Sequence, residues 1–183
     1  MNIDAAGLAD EALYAASPNC DDRPSDAAIE LLVIHNISLP PGVFGGAAVS
    51  DLFLNRLDPA AHPYFATIAG LRVSAHFFIR RDGALLQFVP CALRAWHAGQ
   101  SLWCGRERCN DFSIGIELEG ADDVAFSAAQ YDRLGMLARA LHARYPITAS
   151  VGHSEIAPGR KTDPGPHFDW PRYRASLRRL ENQ

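Results

Sequence analysis

Four cysteines in 183 residues, Cys20, Cys91, Cys104 and Cys109, stand at irregular spacings with no CxxC pair. That pattern argues against a zinc ribbon or a disulfide frame and fits reduced thiols in a cytoplasm. Long apolar runs are missing too: nowhere do about 18 apolar residues follow one another, so no membrane-spanning helix is expected. The opening segment MNIDAAGLADEALYAAS lacks the basic start and unbroken apolar stretch of a secretory signal, and no export is expected. Basic excess is absent as well. Seventeen Lys and Arg against 21 Asp and Glu leave a formal charge of −4, which excludes a phosphate-tracking nucleic-acid binder.

What is present is the balance of a folded soluble protein, 48% apolar and 21% charged residues. The length suits one well-buried core with generous loops, so one domain is expected over residues 1–183, with its core at about 17–175. Residues 30–37, ELLVIHNI, are apolar on both faces, as in a central strand covered on both sides, and end in a loop marked by Pro40, Pro41 and Gly42. Val49–Leu57 reads as a short helix closed by Asp58-Pro59. Val73–Arg80 and Ala84–Val89 flank Asp82-Gly83, a hairpin signal that predicts antiparallel pairing. Phe112–Leu118 alternates, with Ser113, Gly115 and Glu117 on the less greasy face. Ser127 and Gln130 form a capping box for a helix whose stripe is Tyr131, Leu134, Ala138 and Leu141 and which Pro146 ends. A last helix is expected from Asp169 through Leu180. Strands alternating with helices, plus one hairpin, predict an α/β layered domain: a central mixed β-sheet flanked by helices.

Three potential metal ligands occupy positions a fold can hold rigidly: His35 near a strand end, His153 in the turn Val151-Gly-His-Ser, and Asp163 before Pro164. Catalytic zinc commonly takes three His or carboxylate ligands and leaves a fourth position for water. The spacing is not a local zinc signature such as HExxH, and a histidine in an apolar strand is more often a neutral core residue than a ligand. Hydrolysis at such a metal would also need a proton carrier. Glu117 is the candidate, with Glu119 two residues on as a competitor on the same nominal face. Lys161 has the charge to stabilise an oxyanion, or is simply a surface lysine.

These residues lie within longer blocks: LLVIHNISLPPG, LRVSAHFFIRRDG, RAWHAG, GRERCNDFSIGIELEG, GHSEIAPGRKTDPGP and FDW, spread from about Ser17 to Arg174. In these blocks the chain resembles the AmpD-type N-acetylmuramoyl-L-alanine amidases, within the wider family that includes phage T7-type lysozyme-amidases and peptidoglycan recognition proteins. The resemblance implies that His35, His153 and Asp163 hold Zn2+, that Glu117 is the general base, and that Lys161 stabilises the transition state. It implies a 1,6-anhydro-N-acetylmuramyl peptide as substrate, produced in cell-wall recycling and cut in the cytoplasm between the lactyl group and L-alanine. The partner expected is this small muropeptide, met by a monomer, with neither nucleic acid nor membrane involved.

Asn36, Arg72, Arg108 and Arg160 lie beside or between the blocks and are expected to contact the muramyl amide and the peptide carboxylates, since the planar arginine fork suits carboxylates. Trp96-His97-Ala98-Gly99 is expected to be pocket wall, because His97 would exceed the three-ligand count. Two other classes compete. A peptidoglycan-binding module would normally lack a ligand, and here the set is complete. A nucleobase deaminase would need HxE and PCxxC elements, which are missing.

Overall fold

The computed structural model describes residues 1–178. In chain order the elements are β1 (Leu13–Tyr14), β2 (Cys20–Asp22), β3 (Leu31–Ile37), α1 (Ala48–Phe53), α2 (Pro63–Thr67), β4 (Phe77–Ile79), β5 (Leu85–Gln87), β6 (Leu93–Ala95), β7 (Leu102–Trp103), β8 (Arg106–Glu107), a 3-10 turn (Cys109–Asp111), β9 (Ser113–Glu119), α3 (Ala128–Arg144), β10 (Ala149–Gly152), α4 (His153–Ile156) and α5 (Trp170–Leu177). Six strands form one sheet in the order β1-β5-β4-β9-β3-β10. β4, β9, β3 and β10 are mutually parallel, while β5 runs antiparallel to β4. The mixed sheet and the Asp82-Gly83 hairpin agree with the sequence reading.

The two faces of the sheet divide the core. Leu32, Ile34, Ile114, Ile116 and Leu118 pack with Tyr131, Leu134, Ala138 and Leu141 of α3 and Tyr173 of α5. Each such fully buried aliphatic side chain contributes about 1.5–3 kcal/mol. On the opposite face, Leu31 and Val33 meet Ala98, Cys109, Phe112 and Ile156. Phe78 there packs with Leu39, Phe53, Phe65 and Phe88 beneath α1 and α2. The expected capping box is present: Gln130 N donates to Ser127 Oγ at 3.1 Å and Ser127 N donates to Gln130 Oε1 at 3.0 Å.

Two boundaries differ from expectation. The first helix stops at Phe53 rather than Leu57, because Asn55 adopts φ +58° and the chain turns back on Asp51. Val73–Ala75 precede the strand instead of belonging to it: Ser74 N bonds the Trp96 carbonyl rather than a neighbouring sheet strand. Asp169 caps the last helix, accepting from Arg172 N at 2.9 Å, and the helix spans Trp170–Leu177. The expected extension to Leu180 falls outside the described residues. The alternation of β9 also acquires a different meaning. Its polar face is as buried as its apolar one, because it floors the functional site.

Candidate functional site

The parallel strands end at a common level, and their carboxyl ends are where an open α/β sheet places ligands. His35 and Glu117 are direct cross-strand partners in β3 and β9, so their side chains leave the same face. Gly152, the last residue of β10, is the partner of Ile34, which brings His153 to the level of His35. Asp163 arrives from a loop. Gly152 makes this possible, since a Cβ there would stand 2.7 Å from Pro164 Cδ, and Ser154 N then donates to the Asp163 carbonyl at 3.0 Å.

His35 Nδ1 lies 3.0 Å from His153 Nδ1 and 2.9 Å from Asp163 Oδ2, and His153 Nδ1 lies 3.1 Å from the same carboxylate oxygen. Three ligand atoms thus converge, one from each residue, within 4.8 Å of one another. Both histidines are buried. Burial pushes the His35 imidazole down to about 4, offset in part by its hydrogen bond to Asp163, so it stays neutral and keeps a lone pair. Burial alone would raise the Asp163 carboxyl, but the His153 and His35 rings packed against it hold it well below the usual range, as a carboxylate.

Glu117 is buried, and its Oε2 has no hydrogen-bond partner among the described residues. Burial and the nearby Asp163 carboxylate push its pKa well above the ordinary value, against the opposing pull of Lys161. Glu119, the competitor, is committed elsewhere: it accepts from Gly45 N at 2.5 Å and from Arg81 N at 3.0 Å. Lys161 is exposed at the mouth of the same cavity, which measures about 390 Å³ and is lined also by Ser38, Pro41, Leu52, Tyr64, Trp96 and Asp122.

The four residues expected to touch substrate are spread over three hollows. Asn36 lines the main cavity and donates to Asp122 Oδ1 at 2.7 Å. Arg108 and Arg160 line a neighbouring hollow of about 450 Å³ with Gln100, Leu102 and Pro158. Arg160 is tied to the site, donating to the Ala98 carbonyl at 2.7 Å. Arg72 borders a smaller hollow of about 50 Å³ beside Asn55 and Leu57. His97, expected as pocket wall, lines the main cavity with Trp96 and also bonds His35 Nε2, while Asn110, to which reading along the chain gave no role, holds the segment carrying it. His97 sits 62 residues from His35, and no local spacing connects the two.

A family model described as N-acetylmuramoyl-L-alanine amidase matches residues 25–166, which include all of this site. The chain belongs to the N-acetylmuramoyl-L-alanine amidase family. Among curated relatives, the 1,6-anhydro-N-acetylmuramyl-L-alanine amidase AmpD of Salmonella typhimurium (strain SL1344) is 60% identical over 167 residues, covering 90% of this chain and 89% of that one. Among solved structures, a selenomethionine derivative of AmpD superposes with a TM-score of 0.94 at 58% identity, covering 97% of this chain and 99% of that one. The amidase AmiD from E. coli, in complex with anhydro-N-acetylmuramic acid-L-Ala-D-γ-Glu-L-Lys, gives a TM-score of 0.60 at 33% identity, over 84% of this chain and 60% of that one. This amidase therefore has the AmpD-type fold, a mixed sheet flanked by helices. No helix among its described residues is long and apolar enough to cross a membrane.

Proposed function

We propose that this amidase is a zinc enzyme that hydrolyses the amide between the lactyl group of 1,6-anhydro-N-acetylmuramic acid and L-alanine, acting as a monomer and a single domain in cytoplasmic recycling of wall fragments. The observation that carries the zinc reading is the convergence of His35 Nδ1, His153 Nδ1 and Asp163 Oδ2, two imidazoles and one carboxylate. That donor set has the type and number that catalytic zinc takes while a position stays open for water. The substrate reading is supported by relatives about 60% identical over most of the chain that are 1,6-anhydro-N-acetylmuramyl-L-alanine amidases.

Bound zinc supplies a Lewis acid for the scissile carbonyl and acidifies water. The rest of the chemistry falls to side chains. Glu117, buried beside the ligands with a free carboxylate oxygen, takes the proton of the attacking water and returns it to the departing alanine nitrogen. Its raised pKa brings it closer to the range in which one group both accepts and donates. Lys161, at the cavity mouth, places a positive charge where the tetrahedral oxyanion develops. Asn36 orients the muramyl amide, and Arg108 and Arg160 hold peptide carboxylates in the adjoining hollow, with Arg72 at the periphery.

The test is mass-spectrometric detection of free anhydro-muramic sugar released from an anhydro-muropeptide by the purified protein, with chelator and zinc add-back as paired conditions. Release that is lost with chelator and regained with zinc supports the reading. Release untouched by exhaustive chelation removes the metal, and an intact substrate under every condition removes the substrate assignment.

A further inference from the structure

Each candidate ligand histidine has its far nitrogen engaged by protein. His153 Nε2 lies 3.0 Å from the Ala98 carbonyl oxygen. A carbonyl only accepts, so this nitrogen carries the proton and His153 Nδ1 is left with its lone pair. His35 Nε2 lies 2.9 Å from His97 Nδ1, and His97 Nε2 lies 3.2 Å from Ser113 Oγ. The outer partners of both histidines therefore come from two consecutive residues, His97 and Ala98.

That dipeptide is itself pinned. The backbone N–H groups of His97 and Ala98 both donate to Asn110 Oδ1, at 3.2 and 2.8 Å. Arg160 donates to the same Ala98 carbonyl, its Nη2 lying 3.5 Å from His153 Nε2. Beneath the ring, Gly115 leaves the space it occupies, since a Cβ there would come within 2.4 Å of His97 Cγ. The His97 ring meets His35 edge-on, with centroids 5.0 Å apart.

The bond from His153 to Ala98 has one possible direction, but a bond between two neutral imidazoles has two. Metal binding through His35 Nδ1 decides between them. That nitrogen must offer its lone pair, so the proton sits on Nε2 and residue 97 must accept. We propose that His97 is a positioning residue which, by accepting from His35 Nε2–H, aims the Nδ1 lone pair at the metal, with Asn110 holding the segment that orients both histidine ligands. The inference rests on the zinc reading above. A neutral ring supplies the acceptor without a third negative charge beside Asp163 and Glu117, which a carboxylate in its place would add.

The test compares His97→Ala, His97→Asn and His97→Gln with the wild-type protein. Zinc affinity is measured by competition with a chromophoric chelator, and imidazole tautomers of the zinc-loaded forms by long-range proton–nitrogen-15 correlation spectra. The Asn side-chain carbonyl falls near the place of His Nδ1, whereas that of Gln falls near Nε2. His97→Ala and His97→Gln should therefore bind zinc about 10- to 100-fold more weakly, while His97→Asn recovers most of the affinity and keeps the His35 proton on Nε2. The zinc-free thermal midpoints of the Asn and Gln variants should match, which separates aim from packing. Equal affinities for Asn and Gln overturn the proposal, even if the Ala variant does not fold. So does wild-type affinity in the Ala variant, or a His35 proton on Nδ1 in the zinc-loaded wild type. A wild-type protein that binds no zinc overturns the metal reading first, and this inference with it.

Discussion

The ring of His97 lies directly over Gly115, so closely that a Cβ on Gly115 would stand 2.4 Å from His97 Cγ. Gly115 is in the middle of β9, where glycine ordinarily weakens a strand. Here the missing side chain is the room in which the ring sits. Gly115→Ala should therefore cost about 1–3 kcal/mol of stability through overpacking, and should weaken zinc binding as His97 is displaced. Urea denaturation of the zinc-free protein measures the first effect and chelator competition the second. A variant as stable as wild type would mean that the ring has other room to move into.

Glu117→Gln keeps the shape of the side chain but removes its ability to accept a proton. Turnover should fall about 10²- to 10⁴-fold, while zinc content, read by elemental analysis, stays at the wild-type level. Wild-type turnover would transfer the base role to another group. Glu119 is poorly placed to take it, because both carboxylate oxygens already accept backbone hydrogen bonds.

The two arginines of the neighbouring hollow should behave differently. Arg108 is exposed, and its ion pair with Asp111 holds it at 3.3 Å without touching the ligand cluster. Arg108→Ala should raise KM roughly tenfold or more with little change in kcat, the signature of lost ground-state binding to a peptide carboxylate. Arg160 also donates to the Ala98 carbonyl that holds His153. Arg160→Ala should lower kcat as well as raise KM. Steady-state kinetics on a muropeptide ending in a free carboxylate distinguishes the two, and an unchanged KM for Arg108→Ala would sink its assignment.

Three buried histidines predict a pH dependence of the zinc-free protein. Burial lowers His35 to about 4 and pushes His76 and His97 well below their ordinary 6.5. Each binds its proton more weakly folded than unfolded. Between about 4 and 6.5 the unfolded chain holds more protons, so stability rises with pH across that window and is lost as pH falls through it. Chemical denaturation at pH 5 should give a lower unfolding free energy than at pH 7.5. A flat profile would mean that these rings are protonated in the native state.

Much of the architecture was legible in the order of residues. The alternation from Phe112 to Leu118, the capping box at Ser127 and the Asp82-Gly83 turn are local patterns, set by the period of a strand, the unpaired N–H groups of a helix end and the φ values of a tight turn. His35, Glu117, His153, Lys161 and Asp163 stood out because their residue types carry chemistry and their blocks carry a family resemblance. Tertiary structure decided what local pattern does not encode. The parallel register of β3 and β9 set His35 beside Glu117, the backbone bonds of Glu119 separated it from its neighbour two residues away, and the Asn110 side chain brought His97 and Ala98 behind both histidines. Those contacts join residues 12 or more positions apart, and only a packed core brings such residues within hydrogen-bonding distance.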